Sequence, residues 1–215
     1  MEKILITILL IISSVYTSAK PMDKVIEFYQ DKPSISAEFE QDVTVKSPNR
    51  VLKRKGRVYF KRPGSMRWDY TWPDEVYYVS NGKTFWAYDV DEEIVYRSTV
   101  KKSSLFFALK ILFNFKGIYD EFTCKILKST KDTVLVELIP NRKLPLKKLE
   151  LMFKSNSGQI IQTRVIDNLD NISIVKFKKQ TFKDIPDQAF DFKIPKGIPV
   201  HDLDKNNKEP SNAKN

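Results

Sequence analysis

A two-residue alternation of apolar and polar side chains returns along most of this chain, broken at about ten-residue intervals by turn formers. In residues 35–45, Ile35, Ala37, Phe39, Gln41, Val43 and Val45 alternate with Ser36, Glu38, Glu40, Asp42 and Thr44. That period puts one face of a strand on a core and the other in water, which is the habit of antiparallel sheets. Residues 51–61, 66–72, 76–80, 83–88 and 93–100 continue the pattern. The stretches 122–128, 133–139, 148–154, 159–167 and 172–182 resume it. Ser47-Pro48-Asn49, Pro73-Asp74 and Asn81-Gly82 read as turns, the last being a strong hairpin signal. These eleven stretches are read as about nine or ten short strands joined by hairpins.

The period changes twice. Residues 22–29 carry Val25, Ile26 and Tyr29 on one side of a short amphipathic helix, stopped by Lys32-Pro33-Ser34. Residues 103–115, SSLFFALKILFNF, place Leu105, Phe106, Leu109, Leu112 and Phe113 at helical spacing. Ser103 or Ser104 can cap the start of that helix and Gly117 ends it. No internal repeat and no domain-length linker interrupts the chain. One curved antiparallel sheet in a single domain, with helices covering one face, fits this order. The 14 Phe, 9 Tyr and 3 Trp, set against 6 Gly, demand either a bulky core or an apolar pocket, and composition does not choose between them.

The first residues have the form of an export signal. Lys3 precedes the apolar run 4–15, and Thr17-Ser18-Ala19 places small residues before a cleavage point. Residues 1–19 are therefore expected to be removed, 20–203 to form the domain, and 204–215 to be a polar, unstructured tail. Lys20 stands where a lipid-modified cysteine would have to stand, so the mature protein is expected free in an exported compartment such as the periplasm. The lone Cys124 cannot form an internal disulfide and reads as a small buried hydrophobe. The net charge of +10 is spread along the chain, which disfavours nucleic acid as a partner.

Recognisable catalytic chemistry is missing from the sequence. His201 is the only histidine and lies beside the polar tail, so neither a triad nor a zinc set can be assembled around it. No phosphate-binding or nucleophile-elbow motif occurs. Asp74-Glu75 and Asp91-Glu92-Glu93 fall at turns, where solvated acids are expected. A binding protein without metal or cofactor is the expectation, rather than an enzyme.

The segment KRPGSMRWDYTWPDE, residues 61–75, followed by YVSNGKTFWAYD, resembles the periplasmic lipoprotein carrier family LolA of Gram-negative bacteria. The shared elements are Arg62-Pro63, Trp68, Pro73, and Ser80, Gly82, Lys83, Trp86 and Tyr88 at fixed spacing, with Phe39 and Gln41 upstream. The resemblance implies an unclosed antiparallel β-barrel, a half-barrel, with an α-helical lid over an apolar cavity. It implies a monomeric carrier that takes acylated lipoproteins from an inner-membrane ABC transporter and gives them to an outer-membrane receptor. It places an arginine, here Arg62, as a latch on lid backbone groups. Phe39, Met66, Trp68, Tyr70, Trp86, Tyr88, Phe106, Leu109 and Phe113 are the expected acyl-chain cavity residues.

The physics of the quoted stretch agrees. A guanidinium near an apolar face is costly unless paired, and its five donors suit the free carbonyls at a helix end. Pro63 cannot donate to a ladder, so regular pairing ends there. Rival readings are a LolB-like receptor, a carrier of another lipid or glycolipid on the same fold, and a hydrolase with an unrecognised carboxylate site.

Overall fold

The computed structural model describes residues 20–48, 50–100, 115 and 117–205. Helix α1 spans Asp23–Gln30. Six strands follow as a meander: β1 Ser34–Val45, β2 Arg50–Lys61, β3 Ser65–Trp72, β4 Val76–Asn81, β5 Thr84–Asp89 and β6 Ile94–Thr99. A single helical turn, α2, Ile118–Glu121, leads into β7 Phe122–Ser129, β8 Thr133–Pro140, β9 Leu146–Lys154, β10 Ile160–Asp167 and β11 Ile172–Thr181. A 3-10 turn at Asp187–Phe190 and a short strand β12, Val200–Asp202, complete the described chain.

All strands lie in one twelve-stranded sheet, in the order β12-β6-β5-β4-β3-β2-β1-β11-β10-β9-β8-β7. Neither β12 nor β7 has a second strand neighbour among the described residues, so the sheet stays open and forms a half-barrel. The two meanders meet where β1 pairs with β11, with Phe39 opposite Phe177. Two corrections to the sequence reading follow. The described residues form twelve strands, not nine or ten, and β12 runs parallel to β6.

One face of the sheet carries both apolar clusters. Phe39, Phe60, Met66, Trp68, Tyr70 and Phe85, from β1, β2, β3 and β5, form an aromatic group. On the other half, inward residues of β7–β10 such as Phe122, Leu138, Leu151 and Ile160 pack against α1 and Ile118. Ile35 and Phe177 touch both groups and mark the seam between them. Helix α1 buries Val25 and Tyr29, and its N-cap Met22 is buried with them, a spacing that keeps one stripe on the sheet.

The N-terminal end of α1 is fixed in place. The Tyr119 hydroxyl accepts from the Met22 N–H at 2.8 Å and donates to Asp23 Oδ1 at 2.9 Å. Gly158, with φ +83°, sits in the β9–β10 turn against this helix. A Cβ at that position would collide with the Lys24 carbonyl, so glycine lets the turn approach the helix backbone.

The opposite face is covered by the C-terminal segment, placed within the domain by the sequence reading but given no element there. The 3-10 turn lies against β3 and β4 with Phe190 buried. Phe192 packs on Trp86 and Tyr88, at ring separations of 6.2 and 5.8 Å. The strap is anchored by Lys61, whose Nζ lies 2.7 Å from Asp187 Oδ1, and by Arg97 to Asp202 at 2.7 Å. The Thr99 N–H donates to Asp204 Oδ2 at 2.8 Å, so Asp204, the first residue of the expected tail, is held.

The expected signal segment 1–19 and the tail from 206 on lie outside the described residues. So does the helix read over residues 103–115, apart from Phe115, which is buried beside Tyr29.

Candidate functional site

The site is built where β1, β2, β3 and α1 converge. Strand alternation sends Met66, Trp68 and Tyr70 to the inner face, while Arg67 and Asp69 pair at 2.9 Å on the outer one. Trp68 packs on Phe39 and Phe60 with ring centroids 4.8 and 6.0 Å away. Tyr70 meets Phe39 edge-on at 5.1 Å. Its hydroxyl donates to Gln41 Oε1 at 2.8 Å, and Gln41 Nε2 donates to Ser173 Oγ at 2.8 Å. Arg54 lies 5.4 Å from the Tyr70 ring, so the aromatic strip ends in a polar border. Burial pushes the Tyr70 phenol well above its ordinary range and keeps it a neutral donor.

Arg62 sits at the turn between β2 and β3. Its Nη2 donates to the Tyr29 carbonyl at 2.7 Å and its Nε to the Lys32 carbonyl at 3.2 Å. Both acceptors belong to the C-terminal end of α1 and the residues just after it. Carbonyls there lack helical donors, and the helix dipole favours a cation. The Arg62 N–H also donates to the Pro33 carbonyl at 3.0 Å.

Tyr29 is held from the other side as well. The buried Ile160 N–H donates to the Tyr29 hydroxyl at 3.0 Å. That hydroxyl lies 3.4 Å from Gln180 Oε1, while Gln180 Nε2 donates to the Ile160 carbonyl at 2.7 Å. Burial raises the Tyr29 phenol to about 12, with the Ile160 bond pulling the other way. One residue of α1 is thus tied through its carbonyl to Arg62 and through its hydroxyl to β10. Between these ties lies a cavity of about 30 Å³, lined by Tyr29, Ile35, Ala37, Val58, Phe60, Ile160, Phe177 and Gln180. That is room for about one water. The walls are largely apolar, and the volume is smaller than an alkyl chain.

The sequence-predicted residues divide three ways. Phe39, Met66, Trp68 and Tyr70 are brought together on the inner face beside the seam. Trp86 and Tyr88 are not, because their strand neighbours Phe85 and Ala87 take the inner positions and turn them toward Phe192. Phe106, Leu109 and Phe113 lie outside the described residues. Sequence reasoning missed the hydroxyl of Tyr29 and its partners Ile160 and Gln180. A tyrosine in an apolar helix stripe was the available sign, since a buried phenol needs a partner.

Reactive chemistry has little to work with here. No group of three or more His, Cys, Asp or Glu able to hold a metal occurs among the described residues. Cys124, read as a buried hydrophobe, is half-buried, and its environment pushes the thiol up to about 11, far from the reactive thiolate.

A family model described as outer membrane lipoprotein carrier protein LolA matches residues 31–193. An outer-membrane lipoprotein carrier protein of Coxiella burnetii (strain RSA 331 / Henzerling II) is 30% identical over 167 residues, 76% of this chain and 78% of that one. One from Francisella philomiragia is 29% identical over 209 residues, 95% of this chain and 100% of its own. The crystal structure of an uncharacterized conserved protein from Thermus thermophilus superposes with a TM-score of 0.56 at 10% identity, over 84% of this chain and 95% of that one. It shares the fold.

Proposed function

The chain belongs to the LolA family of outer membrane lipoprotein carriers, and on that premise we propose that it shields lipoprotein acyl chains in the periplasm and delivers them to the outer membrane. The observation that carries this reading is the grip of Arg62 on the end of α1, above an apolar seam too small for cargo.

Each buried methylene is worth about 0.8 kcal/mol, so an acyl chain of a dozen carbons resists leaving a bilayer by about 10 kcal/mol. A carrier must offer a comparable apolar surface and later withdraw it. Phe39, Phe60, Met66, Trp68 and Tyr70, with Ile35 and Phe177 at the seam, supply that surface. In the closed form Tyr29 of α1 caps the seam. Acyl chains displace it, exchanging the Arg62 and Tyr29 bonds for apolar contact. At delivery the bonds re-form as the chains leave, which makes closure part of release. A carrier that works this way is loaded by an inner-membrane lipoprotein-releasing transporter and emptied by an outer-membrane receptor, and it operates as a monomer.

The test is to recover the mature protein from spheroplast supernatants and identify bound material by mass spectrometry. Acylated lipoproteins in near one-to-one complex are the expected result. Free lipids or glycolipids without lipoproteins would replace this cargo by another on the same fold.

A further inference from the structure

The Trp68 indole is 6% exposed, and its Nε1 is shielded from solvent with no hydrogen-bond acceptor among the described residues. Such orphans are rare, since about nine in ten buried polar groups are paired. The surroundings explain why none is available. Among the described residues Trp68 faces Val58 on one neighbouring strand and Tyr78 on the other, and its ring contacts are Phe39, Phe60 and Tyr70. Tyr70, two residues along the same face, does have a partner in Gln41 at 2.8 Å. The strip therefore holds one satisfied polar handle and one unsatisfied. A water does not resolve this, because an apolar surround leaves it without the two or more partners it needs.

Trp68 belongs to the inner-face aromatic group beside the cavity, and on the carrier reading an unmet donor on that face has a natural complement. The alkyl part of an acyl chain accepts nothing, but every acyl group carries one good acceptor, its carbonyl oxygen. Resting on the carrier reading above, we propose that the Trp68 indole N–H is the hydrogen-bond donor for an acyl carbonyl, the ester or amide oxygen at the head of a bound chain. This gives the site selectivity for acyl over simple alkyl chains. It also assigns a use to the orphan: the empty, closed form bears the cost of the unpaired donor, and the loaded form does not.

The chain has three tryptophans, which makes the test direct. Trp72 is exposed and Trp86 lies on the opposite face, so both serve as internal controls for an indole nitrogen-15 label. The probes are a synthetic peptide bearing an S-diacyloxypropyl cysteine and its dialkyl-ether counterpart, with binding measured separately by gel filtration. The Trp68 indole proton is expected to move downfield with the ester and not with the ether, while the other two stay in place. The ester is expected to bind about five to ten times more tightly, as one added hydrogen bond implies. In Trp68→Phe both probes weaken through lost packing, but their ratio falls to unity. Equal binding of ester and ether, or an unmoved Trp68 signal with the ester bound, overturns the carbonyl site and leaves the carrier reading standing. Failure of both probes to bind overturns the carrier reading and this inference with it. The labelled wild-type protein carries the test even if the variant does not fold.

Discussion

Tyr29→Phe isolates the hydroxyl side of the closure. The substitution keeps the ring that packs 5.5 Å from Phe115 and 4.8 Å from Phe28, and it leaves the carbonyl bond to Arg62 untouched. What it removes is the acceptor for the buried Ile160 N–H, bonded at 3.0 Å. The contact to Gln180 Oε1, at 3.4 Å, is long and adds little. Leaving a buried amide without an acceptor costs about 1–3 kcal/mol. If the bond exists only with α1 closed, that cost falls wholly on the closed form, and the open fraction rises by about 5–150-fold. Two independent observables must then change by one common factor. Hydrogen exchange at Ile160 accelerates by it, and the apparent dissociation constant for a diacyl lipopeptide falls by it, because apparent affinity scales with the competent fraction. Exchange is read by mass spectrometry on peptides covering residues 22–31 and 158–162, and affinity by fluorescence titration. Faster Ile160 exchange with unchanged lipopeptide affinity would refute the reasoning, since the bond would exist without α1 acting as the gate.

Arg62→Leu removes the two bonds to the Tyr29 and Lys32 carbonyls. The expected result is a protein that still holds lipopeptide but transfers it to acceptor vesicles at least about tenfold more slowly, closure having lost about 2–4 kcal/mol. Arg62→Lys does not restore transfer, because an ammonium lacks the planar fork; normal release by Arg62→Leu would exclude the latch. Phe190→Ala empties the buried anchor of the strap and lowers unfolding free energy by about 3–5 kcal/mol, read from the denaturant midpoint. Asp170 accepts from Lys147 and Lys46, which hold its carboxyl at about 2, below the unfolded value. Its contribution is therefore present above about pH 4 and lost as pH falls toward 2, so wild type and Asp170→Asn differ in stability at pH 7 and converge at about pH 2.

The parts of this molecule that obey one period were readable without coordinates. Met66, Trp68 and Tyr70 share a face because a strand alternates, and α1 ends where Pro33 forbids its continuation. Trp86 and Tyr88 went to the wrong face for a physical reason. β5 is covered on both sides, by the aromatic group and by the strap, so both of its alternating sets are apolar and the period does not say which is inner. The strap itself, with β12, has three strand residues and no period to read. Arg62 shows the limit differently. Its type and the adjacent proline announce a constraint, but its acceptors, the Tyr29 and Lys32 carbonyls, are backbone atoms that leave no mark in the sequence. The same holds for the Ile160 amide behind Tyr29. Trp68 was legible as an inner residue, while its unmet donor is visible only once the described neighbours are placed.

The pairing of β1 with β11 governs how this chain assembles. Each meander can form by local hairpins as it is synthesised, but Phe39 waits for Phe177, across most of the described chain. Long-range pairing of this kind is slow to find. Until residues 172–181 exist, β1 offers an aromatic-bearing edge with its backbone groups free, the template on which strands of other molecules add. A chain cut or stalled before Ile172 is for this reason an aggregation hazard, even though everything needed for the first six strands has already been made.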